Sequence, residues 1–240
     1  MHAVILAGGR GVRLRPYTTA FPKPLVPIGD EFAIMEIVLR QLRVHGFTHV
    51  TIAIGHLGQL IRAYCGDGSQ WGLEIEYWPE EQPLGTMGPV VSNLDQLPEH
   101  FLVMNGDVLT DLDYRAVLAG HVEADAPLTV AAYDRTVKID FGVLDIGGPT
   151  GDRIVGFREK PVEHFSVSMG VYAASRETLR SYPAGEPLGF DELVLDLMAA
   201  GTPPRVHRFD GYWLDIGRPD DYDRANEDWA TLRDTFLPDR

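Results

Sequence analysis

The chain has 240 residues, of which 45% are hydrophobic and 23% are charged, and it carries one cysteine and a formal charge of −14. A chain of this size can bury a core of its own without disulfides or zinc, and its apolar runs fall well short of the roughly 18–20 residues that cross a membrane. The acidic balance argues against general nucleic-acid binding, which needs clustered Lys and Arg.

The first residues lack the basic segment and the long apolar segment of a signal peptide. We therefore expect a cytoplasmic protein whose partners include neither a membrane nor a nucleic acid. Cys65 is the single cysteine, so it cannot form an internal disulfide, and we expect it to be a small buried side chain.

Short apolar runs alternate with longer segments in which apolar residues recur every three or four positions, a pattern typical of strands alternating with helices. In the first half this pattern predicts strands at 3–7, 50–54, 73–77 and 101–104, and helices at 34–44, 57–64 and between 87 and 97. These elements predict a βαβαβ unit with right-handed crossovers. The ligand loops of such a unit lie at the carboxyl ends of its parallel strands.

The second half is richer in strands. The same pattern predicts strands at 128–133, 141–146, 154–157 and 165–173, and helices at 190–200 and 220–232. No linker, internal repeat or low-complexity segment interrupts the sequence. We predict an α/β fold of one domain, 1–240, with a Rossmann-like, mostly parallel central sheet flanked by helices, and with a strand-rich lobe in its second half, about 111–240.

A glycine-rich segment follows the first predicted strand. Gly8, Gly9 and Gly11 would let backbone N–H groups approach a phosphate chain closely, although an ordinary turn can have the same composition. The segment has Leu14 where a dinucleotide-binding fingerprint has its third glycine, and it lacks the G-K-[ST] end of a Walker loop.

Positive charge is concentrated near the same segment. Three arginines accompany it, Arg10, Arg13 and Arg15. The chain has only three lysines, and two of them, Lys23 and Lys160, stand beside prolines that restrict their backbone. Either lysine could be an ordinary surface residue beside a turn. Together with the arginines, they favour a site for a phosphorylated ligand.

Two carboxylates follow predicted strands. Asp107 comes after the strand at 101–104, and Asp215 ends a short apolar run at 213–215. Carboxylates in these positions can bind Mg²⁺ together with water and substrate phosphates. The alternative is that both residues form turns or cap helices.

Motifs in a fixed order resemble the sugar-1-phosphate nucleotidylyltransferases, also called nucleotide-sugar pyrophosphorylases. They are Gly8–Leu14, Pro22–Leu25, Leu84–Thr86, Asn105–Asp107, Phe141–Gly142, Glu159–Pro161, Gly170–Tyr172 and Gly211–Gly217. The resemblance is strongest to short bacterial members that act on mannose or heptose 1-phosphate with GTP. Short uridylyl- and thymidylyltransferases share the same skeleton.

The resemblance implies a role for each matching residue. It implies catalytic roles for Arg13 and Lys23 on the triphosphate, for Lys160 on the sugar phosphate, and for Asp107. It implies that Asp107 and Asp215 hold Mg²⁺, which is the implied cofactor. The implied nucleotide contacts are Leu6, Ala7, Gly8, Gly9, Gly11, Gln82, Gly85 and Thr86. The implied sugar contacts are Gly142, Glu159, Ser168 and Gly170. The nucleotide-binding half is then about 1–110 and the sugar-binding half about 111–240.

The sequence departs from the family pattern at two points. Val12 stands where the family usually has Thr, which removes a hydroxyl but leaves the glycine backbone donors in place. Ser168 and Met169 precede Gly170 where the family often has Asn, and this leaves the sugar open. The hexapeptide repeats of longer members do not occur in the sequence, so no β-helical tail is expected.

The resemblance implies an enzyme that joins an NTP, with GTP favoured, to a hexose, heptose or related sugar 1-phosphate and releases pyrophosphate. The segment Glu80-Glu81-Gln82 leaves UTP and dTTP open, since a carboxylate suits guanine and an amide suits uracil, thymine or guanine. A non-catalytic nucleotide-sugar-binding homologue is a further alternative. A glycosyltransferase is disfavoured because no Asp-x-Asp ends a strand of the first half. The sequence leaves the oligomeric state open, including a homo-oligomer.

Overall fold

A seven-stranded sheet organises the chain, for which the computed structural model describes residues 1–237. In spatial order its strands are β12 (Arg205–Phe209), β8 (Leu128–Lys138), β11 (Val162–Ser175), β6 (His100–Asn105), β1 (His2–Ala7), β4 (His49–Ile54) and β5 (Glu74–Pro79). Neighbouring strands are parallel except that β11 pairs antiparallel with both β6 and β8. The predicted α/β fold with a mostly parallel sheet is confirmed.

Three two-stranded antiparallel sheets lie outside the main sheet. They pair β2 (Pro27–Ile28) with β3 (Phe32–Ala33), β7 (Val108–Thr110) with β13 (Trp213–Asp215), and β9 (Val143–Gly147) with β10 (Arg153–Arg158). The β7–β13 pair matters most for the site, because its register places Asp215 opposite Val108. Asp107, one residue earlier, thereby becomes a neighbour of Asp215.

Helices cover both faces of the main sheet. They are α1 (Ile34–Val44), α2 (Gly58–Cys65), α3 (Gly88–Ser92), α4 (Tyr114–Glu123), α5 (Arg176–Leu179), α6 (Phe190–Ala199) and α7 (Pro219–Phe236). Successive strand residues point to opposite faces, so Val4 and Ile5 of β1 enter two different core clusters. No helix in residues 1–237 is both long and apolar enough to span a membrane.

Helix α1 shows why the apolar pattern predicts structure well here. Its residues Ile34, Ile37, Val38 and Leu42 are buried, as the spacing predicts, and each such side chain contributes roughly 1.5–3 kcal/mol by leaving water. Val44 is also apolar, but it is 44% exposed. This residue is the last one of α1, at the end of the helix next to the cap residue His45. Cys65 is fully buried, as expected.

Several elements differ from the sequence prediction. The segment predicted as one helix between 87 and 97 is α3 followed by a short 3-10 turn at Leu94–Gln96, and β8 and β11 are longer than predicted. Helix α4 was not predicted. Its buried positions include His121, so its apolar pattern is weak, although Asp113 caps it by accepting a hydrogen bond from the Ala116 N–H at 3.1 Å. Strand β12 was also missed because it is a polar edge strand.

Candidate functional site

A cavity of about 850 Å³ opens at the carboxyl ends of β1, β4 and β6. This is the edge of a parallel sheet where loops from adjacent strands meet. The structure places eleven of the residues predicted from sequence in its wall: Leu6, Ala7, Gly8, Gly9, Gly11, Arg13, Lys23, Gln82, Gly85, Thr86 and Asp107. Residues distant in sequence thus share one concave surface large enough for a nucleotide.

The glycine-rich segment is tightly held against its surroundings. Gly11 has a φ of +59°, and a Cβ added to it would lie 3.1 Å from a carbon of Thr18. The Thr18 hydroxyl donates a hydrogen bond to the Gly11 carbonyl at 2.7 Å. A Cβ on Gly8 would lie only 2.1 Å from the carboxylate of Glu80, whereas a Cβ on Gly9 would meet nothing within 4 Å. The positive φ therefore favours glycine at Gly11, a Cβ on Gly8 would displace the carboxylate of Glu80, and Gly9 faces open space.

Lys23 lies between the two predicted metal-binding carboxylates. Its side chain is buried, and its Nζ pairs with Oδ2 of Asp107 and lies 3.8 Å from Oδ1 of Asp215. Burial raises the pKa of Asp215, and the charge of Asp107 raises it further, while Lys23 and Arg13 oppose the shift. The ammonium thus offsets part of the repulsion between two carboxylates held close together.

The second oxygen of Asp107, Oδ1, is buried and has no hydrogen-bond partner among residues 1–237. Unpaired buried carboxylate oxygens are costly unless something binds them. No cluster of three or more His, Cys, Asp or Glu in these residues could hold a metal ion. Two carboxylates, Asp107 and Asp215, lie close together here, and a pair of this kind fits Mg²⁺, which uses one or two protein carboxylates and takes its other ligands from water and phosphates.

The backbone fixes this pair of carboxylates. Asp215 ends β13, and the N–H of Ile216 donates to the carbonyl of Asp107 at 3.2 Å. Arg13 approaches from the glycine-rich segment. A Cβ built on Gly217 would lie 3.8 Å from the Arg13 guanidinium carbon and 3.5 Å from Oδ2 of Asp215. A positive side chain is thus held beside the carboxylates at the wall of the cavity.

Six predicted residues lie outside the cavity wall: Gly142, Glu159, Lys160, Ser168, Gly170 and Asp215. Asp215 is linked to the wall through Lys23. Gly170 is linked through Asn105, because a Cβ on Gly170 would lie 2.5 Å from the Asn105 amide nitrogen. Ser168 is nearby, since its hydroxyl accepts a hydrogen bond from the Gly170 N–H at 3.3 Å.

Gly142, Glu159 and Lys160 form a separate group at the base of the β9–β10 sheet. A Cβ on Gly142 would lie 2.7 Å from the Phe157 ring and 3.3 Å from the carboxylate of Glu159. Lys160 is exposed and has a φ of +42°, a conformation that costs energy in a residue other than glycine. Such strain is often found at ligand sites. The roles in sugar binding that the sequence suggests for these three residues stay predictions.

Nearly the whole chain is similar to known proteins. The family model described as nucleotidyl transferase matches residues 2–231. The chain belongs to this family. Mannose-1-phosphate guanylyltransferase of Mycobacterium tuberculosis (strain ATCC 25618 / H37Rv) is 32% identical over 235 residues, which cover 94% of this chain and 64% of the relative. UTP--glucose-1-phosphate uridylyltransferase of Synechocystis sp. (strain ATCC 27184 / PCC 6803 / Kazusa) is 32% identical over 253 residues, covering 97% and 63%.

This nucleotidyl transferase chain spans less than two thirds of the length of those two relatives. Among solved structures, HddC from Yersinia pseudotuberculosis is similar with a TM-score of 0.73 and 24% identity, covering 95% of this chain and 99% of that chain. At that identity the similarity shows the fold. It agrees with the arrangement of strands and helices described above.

Glu80 of this nucleotidyl transferase belongs to the segment Glu80-Glu81-Gln82, within which the sequence did not show which side chain faces the ligand. It follows β5, it is half-buried, and it lines the cavity. Burial raises its pKa, and a hydrogen bond at 3.5 Å from the Leu84 N–H opposes that shift. Gly55 and His56 also line the cavity and were missed. Their position directly after β4 was the available signal, because ligand loops follow parallel strands.

Proposed function

We propose that this protein is a magnesium-dependent guanylyltransferase that joins GTP to a sugar 1-phosphate and releases pyrophosphate. The observation that carries the choice of base is the position of Glu80. The membership of the chain in the nucleotidyl transferase family and the glycines and positive side chains that line the cavity support the broader activity. The sugar stays open among hexoses, heptoses and related phosphates.

Glu80 is held so that its carboxylate faces the cavity. Its backbone N–H donates to the carbonyl of Ile54 at the end of β4 at 2.8 Å, and its carboxylate lies against Gly8. Guanine presents two donors, N1–H and N2–H₂, on one edge, and a carboxylate can accept both. Uracil and thymine present one N–H between two carbonyl oxygens, which would repel the carboxylate. Glu80 therefore favours guanine.

The segment that follows Glu80 is fixed from the other side by the loop that precedes α6. The N–H of Met87 donates to the carbonyl of Leu188 at 2.9 Å, and the N–H of Leu188 donates to the carbonyl of Leu84 at 2.9 Å. Gly85 has a φ of +76°, and a Cβ there would lie 2.7 Å from the Leu188 carbonyl oxygen. A rigid segment of this kind could read a base edge with its backbone.

The reaction proposed for this site brings two anions together. An oxygen of the sugar phosphate bonds to the α-phosphorus of GTP as the bond from that phosphorus to the bridging oxygen of pyrophosphate breaks. The attacking phosphate is already ionised, so no side chain has to remove a proton. Arg13 and Lys23 would orient and neutralise the triphosphate, and Lys160 would hold the sugar phosphate.

Asp107 and Asp215 would hold Mg²⁺, because one oxygen of Asp107 is buried without a partner among residues 1–237 and Asp215 faces the same lysine. When bound, the ion would neutralise charge that develops on the phosphates. The two carboxylates supply its protein ligands, and Lys23 supplies a second positive charge on the same side of the cavity.

The test is pyrophosphate release from GTP, UTP, dTTP, CTP and ATP, each combined with several sugar 1-phosphates and with Mg²⁺. Release that requires GTP and one sugar phosphate, and that is lost in the Asp107→Asn, Asp215→Asn double variant, supports the proposal. Release with UTP or dTTP in place of GTP overturns the choice of base. Binding of a nucleotide without release for any sugar would instead support a non-catalytic binding homologue.

The Glu80→Gln variant tests the choice of base directly. We expect kcat/KM for GTP to fall about 10-fold to 100-fold because one charged acceptor for the guanine edge is lost. Glu76→Gln is the matched control, since Glu76 is an exposed glutamate on the preceding strand, outside the cavity wall. Equal values for the wild type and Glu80→Gln would remove the role of Glu80 and leave Gln82, which also lines the cavity, as the candidate.

A further inference from the structure

Gln41 is a buried polar side chain to which the proposed reaction gives no role. It belongs to α1 and is 3% exposed. A buried amide costs free energy unless its polar atoms are paired. Its Nε2 donates a hydrogen bond to the carbonyl of Thr110 at 2.8 Å, and its Oε1 accepts one from the hydroxyl of Tyr114 at 3.2 Å. Thr110 and Tyr114 are themselves fully buried. The amide of Gln41 therefore ties α1 to β7 inside the protein.

The pairing of β7 with β13 depends on contacts outside its own ladder. Each strand has three residues, and an isolated two-stranded sheet is at best marginally stable in water. A slip of one residue would turn the side chains of β13 to the opposite face of the pair. Asp215 would then no longer lie beside Asp107. Contacts that fix the register of these two strands thus decide whether the two carboxylates meet.

Thr110 and Asp111 hold the start of β13 in place. Thr110 lies opposite Trp213 in the ladder, and its hydroxyl donates a hydrogen bond to the carbonyl of Tyr212 at 2.7 Å. The carboxylate of Asp111 accepts a hydrogen bond from the Tyr212 N–H at 2.7 Å. Two consecutive side chains are therefore bonded to the backbone of the residue that precedes β13. A shift of β13 along β7 would break both bonds.

Thr110 joins these contacts to α1. Its carbonyl accepts a hydrogen bond from Gln41 while its hydroxyl donates one to Tyr212, so one residue connects the helix to both strands. Helix α1 is a firm support because its apolar side chains belong to two core clusters. At the other end of the pair, the N–H of Ile216 donates to the carbonyl of Asp107 at 3.2 Å. The contacts of Gln41 thus lead along the paired strands to the carboxylates.

We propose that Gln41 is a positioning residue for the carboxylates of Asp107 and Asp215. By holding Thr110, it fixes the register of β7 with β13 and thereby keeps Asp215 beside Asp107. The consequence for metal binding rests on the proposed function, in which these carboxylates would hold Mg²⁺. Residues that orient metal ligands without touching the metal typically contribute 10-fold to 100-fold to metal affinity. The effect on the register itself does not depend on which reaction the protein catalyses.

The Gln41→Met variant tests the proposal, because it removes both hydrogen bonds of the amide and keeps an unbranched side chain of similar length. The first measurement is amide hydrogen exchange at Ile216 by NMR, without metal. We expect exchange about 10-fold faster in Gln41→Met than in the wild type, since the pair of strands opens more often. The second is the Kd for Mn²⁺ alone, followed by electron paramagnetic resonance, because Mn²⁺ accepts the same oxygen ligands as Mg²⁺. We expect binding about 10-fold to 100-fold weaker in the variant.

The Thr110→Val variant acts at the same contact from the other side. It removes the bond to Tyr212 and keeps the backbone carbonyl that Gln41 binds. Exchange at Ile216 should also become faster in this variant, so the test does not depend on the folding of Gln41→Met alone. Circular dichroism and urea unfolding check that each variant is folded.

Thr129→Val is the matched control. Thr129 is a fully buried threonine of β8, and its hydroxyl lies 3.0 Å from a ring nitrogen of His121, away from β7 and β13. This variant should keep the wild-type exchange at Ile216 and the wild-type Kd for Mn²⁺. Equal effects of Thr129→Val and Gln41→Met overturn the proposal, because they would reflect a general loss of stability.

Unchanged exchange at Ile216 in folded Gln41→Met and Thr110→Val also overturns the proposal. A measurable Kd for Mn²⁺ that is the same in wild type and Gln41→Met overturns it as well, because the carboxylates would then keep their places without the amide. A wild type that binds no Mn²⁺, with exchange at Ile216 still faster in Gln41→Met, supports the positioning role and contradicts the metal site of the proposed function. The two failures are thus distinguishable.

Discussion

The ring nitrogens Nε2 of His121 and Nδ1 of His100 lie 3.3 Å apart, and the two rings meet edge to face with centroids 5.3 Å apart. His121 belongs to α4 and is fully buried, while His100 begins β6, so the pair joins a helix to the sheet. The other ring nitrogen of His121 lies 3.0 Å from the hydroxyl of Thr129. This buried pair predicts how stability depends on pH.

Stability should fall between about pH 6.5 and pH 4. Burial lowers the pKa of His121 to about 4, and His100 and Arg205 lower it as well, while Asp125 opposes them. The unfolded chain has a His pKa near 6.5. Above pH 6.5 the ring is neutral in both states, so the free energy of unfolding does not depend on it. Between pH 6.5 and pH 4 the unfolded chain binds a proton at this ring and the folded chain does not, so the free energy of unfolding falls. The loss should reach about 3 kcal/mol near pH 4.

Urea unfolding at several pH values measures this. The His121→Gln variant should show a shallower loss between pH 6.5 and pH 4, whereas His164→Gln, an exposed histidine, should match the wild-type slope. Some slope will persist in His121→Gln because burial also lowers the pKa of His2 to about 4. Identical slopes for wild type and His121→Gln would contradict the assignment.

Replacing Lys23 by Met should destabilise the protein by about 3 kcal/mol at neutral pH, because Asp107 and Asp215 would then lose the positive charge that separates them. The carboxylates would protonate more readily, so acidification should recover part of the loss. Adding Mg²⁺ without nucleotide should stabilise Lys23→Met more than the wild type. Thermal unfolding with and without Mg²⁺ measures both effects.

The Lys23→Met, Asp107→Asn double variant is the control for this prediction. It removes both members of the ion pair, so it should be more stable at neutral pH than Lys23→Met alone. If the single variant were as stable as the wild type, the ion pair would not hold the site together in solution.

Replacing Lys160 by Ala should lower kcat/KM for the sugar 1-phosphate about 100-fold to 1,000-fold through the loss of a positive charge, and should leave nucleotide binding unchanged. Lys138→Ala is the matched control because Lys138 is also an exposed lysine of the same lobe. Steady-state kinetics and nucleotide titration together make the measurement. Weaker nucleotide binding by Lys160→Ala would indicate that Lys160 contacts the nucleotide and not the sugar phosphate.

Replacing Gly170 by Ala should destabilise the protein by about 1–2 kcal/mol more than replacing Gly151 by Ala. Both glycines have positive φ values, +74° and +67°, so both substitutions carry the same kind of backbone strain. Only Gly170 meets a neighbour, the Asn105 amide 2.5 Å away, whereas Gly151 meets nothing within 4 Å. Chemical unfolding of the two variants gives the difference. Equal losses would show that Asn105 moves aside at no cost.

The sequence predicted best where burial alone decides structure. Strand β1 is buried on both faces and α1 on one, so their apolar patterns were complete enough to locate them within a residue or two. Helix α4 was missed because a buried histidine and its polar partners interrupt its apolar stripe. Strand β12 was missed because an edge strand can be polar without loss of stability.

The wall of the cavity was predictable because residues that follow parallel strands converge in space. Glu80 could not be chosen over Glu81 and Gln82 from sequence. The side chains of three adjacent polar residues after a strand point in different directions, and the sequence does not show which one points into the cavity. Its selection depends on the N–H of Glu80 bonding to Ile54 and on the absence of a side chain at Gly8. Likewise, the contact of Asp215 with Lys23 depends on the pairing of β13 with β7, which no local pattern reveals.

Strand β11 has a mechanical consequence. Its 14 residues extend about 46 Å at 3.3 Å per residue. Its inner end lies between β6 and β8 within the main sheet, and its outer end extends past β6 with β8 as its partner. The ladder to β8 shifts register between Ser168 and Tyr172, around Gly170. The outer half of β11 therefore joins the main sheet through an irregular segment at Gly170, next to Asn105 in the cavity wall, so a change in the direction of the outer half at this point would be felt at the cavity.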